Sequence, residues 1–147
     1  MILIAAMAGT LAGIVMLLLS HLAPIVGAGN FVRDIDTPRV FGKEISRREA
    51  TIIGALVHLI VSALFGALYA YAVRIGLTDG FRLLPLLGWS VVLSLFMGGV
   101  ILPLEGHGIF GTREDAWFPV DLFVTNAIWA ILFWWLIRLW STLIVQP

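Results

Sequence analysis

The chain reads as an all-α membrane protein: four transmembrane helices packed as a bundle, with a short surface helix in the first loop. Three observations carry that reading. Of 147 residues, 61% are hydrophobic and 12% charged, whereas soluble domains carry roughly 25% charged residues. Four apolar runs, about 2–22, 47–74, 84–103 and 119–141, are each long enough to cross a bilayer as a helix. Three of the four repeat small residues at every fourth position, the spacing that lets helix backbones approach closely in lipid.

Mean hydropathy is +1.04, and the length fits a single integral membrane domain, residues 1–147. Formal net charge is zero, which gives no basis for nucleic-acid binding. Cysteine is absent, which excludes disulfides, thiolate metal sites and cysteine nucleophiles.

The first apolar run has no Lys or Arg before it, unlike a secretory leader, and is read as the first span. Pro24 ends it. Its small-residue stripe is Ala5, Gly9 and Gly13. The connection over 23–46 is the longest polar stretch. Thr37-Pro38 resembles an N-cap followed by proline at the first helical position, so a short surface helix is expected near 38–44. Ser46-Arg-Arg-Glu49 is a capping box, so the second span begins at Arg47. It ends near Arg74, with Gly76 available as a left-handed C-cap. Its stripe is Ser62, Gly66 and Ala70. After the turn Thr78-Asp79-Gly80, the third span carries Pro85 in its first turn, Pro103 at its exit and the stripe Ser90, Ser94 and Gly98.

The fourth span has no such stripe. It is aromatic instead, with Trp129, Phe133, Trp134, Trp135 and Trp140. Arg138 and Trp140 are expected at the membrane interface, where snorkelling arginine and indole rings are favourable. The simple reading is lipid-facing packing; tryptophan far from that interface is unusual if it faces only lipid tails, so the alternative is a face that docks partner helices or a bound apolar cofactor.

Four spans place both termini on one side. The loop side holds Arg33, Arg39, Lys43, Arg47, Arg48 and Arg113, and the termini side holds Arg74, Arg82 and Arg138. The positive-inside rule then puts the loops in the cytoplasm and the termini outside.

Candidate chemistry centres on His58, because a titratable group at membrane depth is costly and is a site hypothesis by default. From the helical rise it lies roughly 15 Å inside the loop-side boundary, with Ser94 and Asn126 at roughly 10–14 Å and Thr10 slightly deeper. These four residues are expected to form one mid-membrane layer of interhelical hydrogen bonds. A bis-histidine haem with His21 is disfavoured, since His21 sits about three turns shallower than His58. Glu105 and His107, in the glycine-rich loop Glu105-Gly-His107-Gly-Ile-Phe-Gly111, are weak metal candidates without diagnostic spacing. Nucleophile motifs, phosphate loops and the HExxH pattern are absent.

Three stretches carry a family likeness: Met7-Ala-Gly-Thr-Leu-Ala-Gly13, His58 with Phe65-Gly66-Ala-Leu-Tyr69, and Pro103-Leu-Glu-Gly106-His-Gly108-Ile-Phe-Gly111. In these the chain resembles the small YagU-like inner-membrane proteins and related four-helix families. The resemblance implies the four-helix fold and no established activity. Members carry a histidine and small residues in the last span, where this chain has Asp121-Leu-Phe-Val-Thr-Asn126-Ala-Ile-Trp129.

Together these readings predict a non-catalytic accessory subunit of a larger membrane complex, such as a respiratory or other electron-transfer assembly. It would lie in a prokaryotic inner membrane, contact lipids and other integral membrane subunits, and need no cofactor. The alternatives are a small oligomeric channel or transporter using the His58 layer, and a haem-, quinone- or metal-binding membrane protein.

Overall fold

The computed structural model describes residues 1–22, 39–40, 43–44, 46–104, 106–113 and 116–144. Four long helices cross from end to end: α1 (Ile2–Leu22), α2 (Arg47–Arg74), α3 (Leu83–Leu104) and α4 (Phe118–Ile144). All four are long and apolar enough to span a bilayer. The chain is an integral membrane protein built as an all-α four-helix bundle.

The ends of the helices follow from capping chemistry. Ser46 Oγ accepts from the Glu49 amide at 3.3 Å, while the Ser46 amide and hydroxyl donate to Glu49 Oε2 at 3.0 and 2.8 Å. This closes the capping box and fixes where α2 begins. At its other end Gly76 adopts φ +75°, and Leu77 and Gly76 donate to Ala72 and Val73 carbonyls at 2.9 and 3.1 Å. That double bond pattern around a left-handed glycine is a Schellman motif.

The described residues of the stretch 38–44, where a surface helix is expected, are not helical. Arg39–Val40 (β1) and Lys43–Glu44 (β2) pair instead as a two-residue antiparallel ladder, Arg39 opposite Glu44 and Val40 opposite Lys43. The fixed φ of Pro38 suits an extended chain as well as a helix start. Val40 favours strand, and Gly42 in a helix interior would cost about 1 kcal/mol in so short a segment. The rest of the first loop lies outside the described residues.

The helices pack in the order α2, α1, α4, α3, each against the next. Helices α2 and α3 meet mainly through aromatic side chains. Phe65 lies 6.1 Å from Trp89 and 6.2 Å from Phe96, and Tyr69 lies 5.8 Å from Trp89, ring centre to ring centre. The Tyr69 hydroxyl donates to the Gly80 carbonyl at 2.8 Å, tying the α2–α3 turn to the core. Buried Ala5, Ala8, Ala12 and Met16 form one stripe of α1. Outward faces carry Leu3, Leu18, Ile60, Leu64, Val92 and Trp135, all exposed. In water such a surface would drive aggregation; against lipid tails it carries no penalty.

Two glycines let α1 and α2 touch backbone to backbone. A Cβ on Gly9 would collide with the Ser62 carbonyl, and one on Gly66 with the Ala5 carbonyl. Gly54 and Gly88 face open space. Gly9→Ala should therefore destabilise the protein in detergent by about 1–3 kcal/mol, the usual range for overpacking. Gly88→Ala should be neutral or stabilising, since alanine is the better helix former. Thermal unfolding of the two variants beside the parent checks the contrast.

The Glu49 carboxylate is held below its usual titration range, first by the Ser46 hydroxyl and then by the Ser46 amide. A depressed folded-state value means this stabilisation is present above the unfolded value and is lost as pH falls through the folded one. Hydrogen exchange of the first turn of α2 should accelerate over that acidic window, and Glu49→Gln should flatten the response.

Candidate functional site

The polar side chains within the spans do not converge on one layer. They divide between two seams. Between α3 and α4, Asn126 Nδ2 donates to Ser94 Oγ at 2.9 Å, and Ser94 Oγ donates to the Ser90 carbonyl at 2.9 Å. Ser94 is fully buried, and Ser90 nearly so, with its hydroxyl on the Leu87 carbonyl at 2.8 Å. Asn126 is half-buried.

Between α1 and α2, His58 and buried Ser62 face Gly13. A Cβ on Gly13 would stand 2.7 Å from Ser62 Oγ and 3.5 Å from His58 Nε2. His58 is half-buried, but its Nε2 is fully enclosed and has no hydrogen bond of good geometry among the described residues. Thr10 donates to the Ala6 carbonyl of its own helix at 3.0 Å, so it belongs to neither cluster.

The expected partner face on α4 is corrected in its main members. Trp129 is 3% exposed and Phe133 fully buried, and the two rings stack 5.2 Å apart at 7°. Trp129 Nε1 donates to the Gly9 carbonyl at 3.3 Å, which joins α4 to the α1–α2 contact. These rings are core because an indole N–H at membrane depth needs an acceptor, and the tight α1–α2 crossing presents one. Trp140 packs beside the core, and Trp134 lies under the Arg138 guanidinium, 5.6 Å from the ring centre. Only Trp135 of this set points fully outward.

The third span holds a feature absent from the sequence reading. Between Met97 and Ile101 the helix widens into a π turn, with the Leu102 amide bonded to the Met97 carbonyl. Pro103 offers no N–H to the Gly99 carbonyl, and its ring crowds that carbonyl. The Gly98-Gly99 pair lets the helix take up the misfit by widening. Gly98 was expected to pack a neighbouring helix; it receives the Phe110 ring instead, at a distance that leaves no room for a Cβ.

That ring belongs to the loop after α3. Gly106 at φ +91° closes α3 by a Schellman motif, with His107 and Gly106 amides on the Leu102 and Pro103 carbonyls at 2.9 and 3.1 Å. Gly108, Phe110 and Gly111 also adopt positive φ. Phe110 stacks on Phe123 of α4 at 6.0 Å and 22°. His107 is buried, and its carbonyl accepts from the Arg113 amide at 3.2 Å. Glu105, the other metal candidate, lies outside the described residues. Among the described residues no group of three or more His, Cys, Asp or Glu side chains could hold a metal ion.

Searches of protein families, curated proteins and solved structures return no match to this chain.

Removing the Asn126 amide tests the α3–α4 seam. Asn126→Leu should lower stability by about 1 kcal/mol, the scale of an interhelical hydrogen bond in lipid. Trp129→Phe keeps the stack on Phe133 and loses the bond to Gly9, so it should show a loss of similar size. Thermal unfolding in mild detergent reads both.

Proposed function

We propose that this membrane protein is a non-catalytic accessory subunit that packs against other integral membrane chains, such as those of an electron-transfer assembly. It lies in a prokaryotic inner membrane with both termini outside. The observation that carries the reading is α2. From Thr51 to Ile60 this helix exposes Ile52, Ile53, Leu56, Val57 and Ile60 along one broad face. Among the described residues its intramolecular packing is concentrated farther along, from Ser62 onward. A transmembrane helix whose first half presents a continuous exposed apolar face suits lateral docking, because association in lipid depends on helix-to-helix packing. The bonds from Asn126 to Ser94 and from Trp129 to the Gly9 carbonyl support a scaffold role, since they hold helices to one another.

A second reading uses His58. An imidazole nitrogen enclosed within a span and lacking a well-formed hydrogen bond favours a channel, or a ligand-binding protein, working at the α1–α2 seam. It predicts proteoliposome flux or ligand binding that disappears in His58→Ala.

Purification from native membranes in mild detergent separates the two. The accessory-subunit reading predicts a membrane partner at fixed stoichiometry that is lost when Leu56 and Ile60 are both changed to Ser. A chain that runs alone, or only with copies of itself, contradicts it.

A further inference from the structure

We propose that Phe110 is a displaceable plug that controls water access to the Ser94–Asn126 pair from the loop side of the membrane. The geometry stacks the two in order. The Phe110 ring fills a notch over Gly98 on α3 and stacks on Phe123 of α4. Ser94 lies four residues before Gly98, and Asn126 three residues after Phe123. The two helices run in opposite directions, so both steps lead inward, by about one helical turn. The bonded pair therefore sits directly beneath the ring.

Three features make the ring removable. Phe110 adopts φ +54° and ψ +24°, a left-handed conformation that is a genuine outlier for a bulky residue and is held only by its surroundings. Gly108 and Gly111, both at positive φ, flank it and let the backbone swing. Beside the loop an open groove of about 340 Å³ runs along Pro103, Ile109 and Arg113, leaving space for a displaced segment.

What the plug covers is chemically useful. Ser94 is fully buried, and Asn126, half-buried, donates to its hydroxyl. With the ring out, water or a small neutral hydrogen-bonding solute can reach this pair. With the ring in, aromatic carbon covers the loop-side approach to the fully buried Ser94.

The chain has no cysteine, so single cysteines report access directly. Ser94→Cys in lipid nanodiscs is treated with a charged, membrane-impermeant thiol reagent, beside Ala116→Cys in the exposed loop and Val92→Cys on the lipid face. Phe110→Ala should raise the Ser94→Cys labelling rate about tenfold, a one-decade shift in the open population, and leave Val92→Cys slow. Gly98→Ala keeps the Phe110 side chain but fills its notch, and should produce the same rise. Ser94→Cys labelling that is as fast as Ala116→Cys before any change, or equally slow in all backgrounds, overturns the proposal. So does a rise shared by Val92→Cys in both variants, which would make the ring a packing staple whose loss loosens the whole bundle.

Discussion

At Gly9 two requirements meet that no other residue type satisfies together. Its Cα faces the Ser62 carbonyl of α2 at backbone contact, and its own carbonyl accepts from Trp129 Nε1 of α4. Helix association in lipid has no hydrophobic drive, because lipid tails are as apolar as leucine. Close backbone approach and internal hydrogen bonds must supply the attraction, and both act through this residue. The reciprocal contact of Gly66 with the Ala5 carbonyl doubles the crossing. The stacked Trp129 and Phe133 then carry the arrangement across to Tyr69, which lies 6.2 Å from Phe133.

The other half of the bundle is built on different terms. Helices α3 and α4 meet through Ser94 and Asn126 and through a ring inserted from a loop, with no backbone contact of the Gly9 kind. The π turn beside Pro103 is the local consequence of a missing N–H. The tight seam joins α1 and α2, and the adaptable one joins α3 and α4. The backbone crossing anchors the fold, and the loop-side end of the second seam is where the proposed Phe110 plug sits.

Much of this was legible in the residues, and the gaps have physical causes. Hydropathy located all four spans, and Ser46, Glu49 and Gly76 located the ends of α2, because capping chemistry is local. Helical rise placed His58, Ser94 and Asn126 at similar depth, but depth is one coordinate. Which helix faces which depends on packing, and packing put His58 on the α1–α2 seam and the other two on α3–α4. Trp129 and Phe133 were misread for a related reason: in a membrane, core and lipid faces are equally apolar, so an aromatic stripe does not declare its side. The expected surface helix failed at the described residues because Val40 favours strand and Arg39–Val40 pairs with Lys43–Glu44. Glycines around Phe110 announced a turn, whereas the destination of its ring depends on the notch that Gly98 leaves in another segment.

The central claim is that α1, α2 and α4 are held by one shared contact at Gly9, and a double-mutant cycle between Gly9→Ala and Trp129→Phe tests it most directly. The added methyl pushes α1 off α2 and moves the carbonyl that Trp129 uses, so the two changes act on the same contact. The account predicts that Trp129→Phe lowers stability in lipid nanodiscs by clearly less in the Gly9→Ala background than in the parent, as coupled neighbours do. Losses that simply add would contradict it, by showing that the α1–α2 crossing and the Trp129 bond are independent.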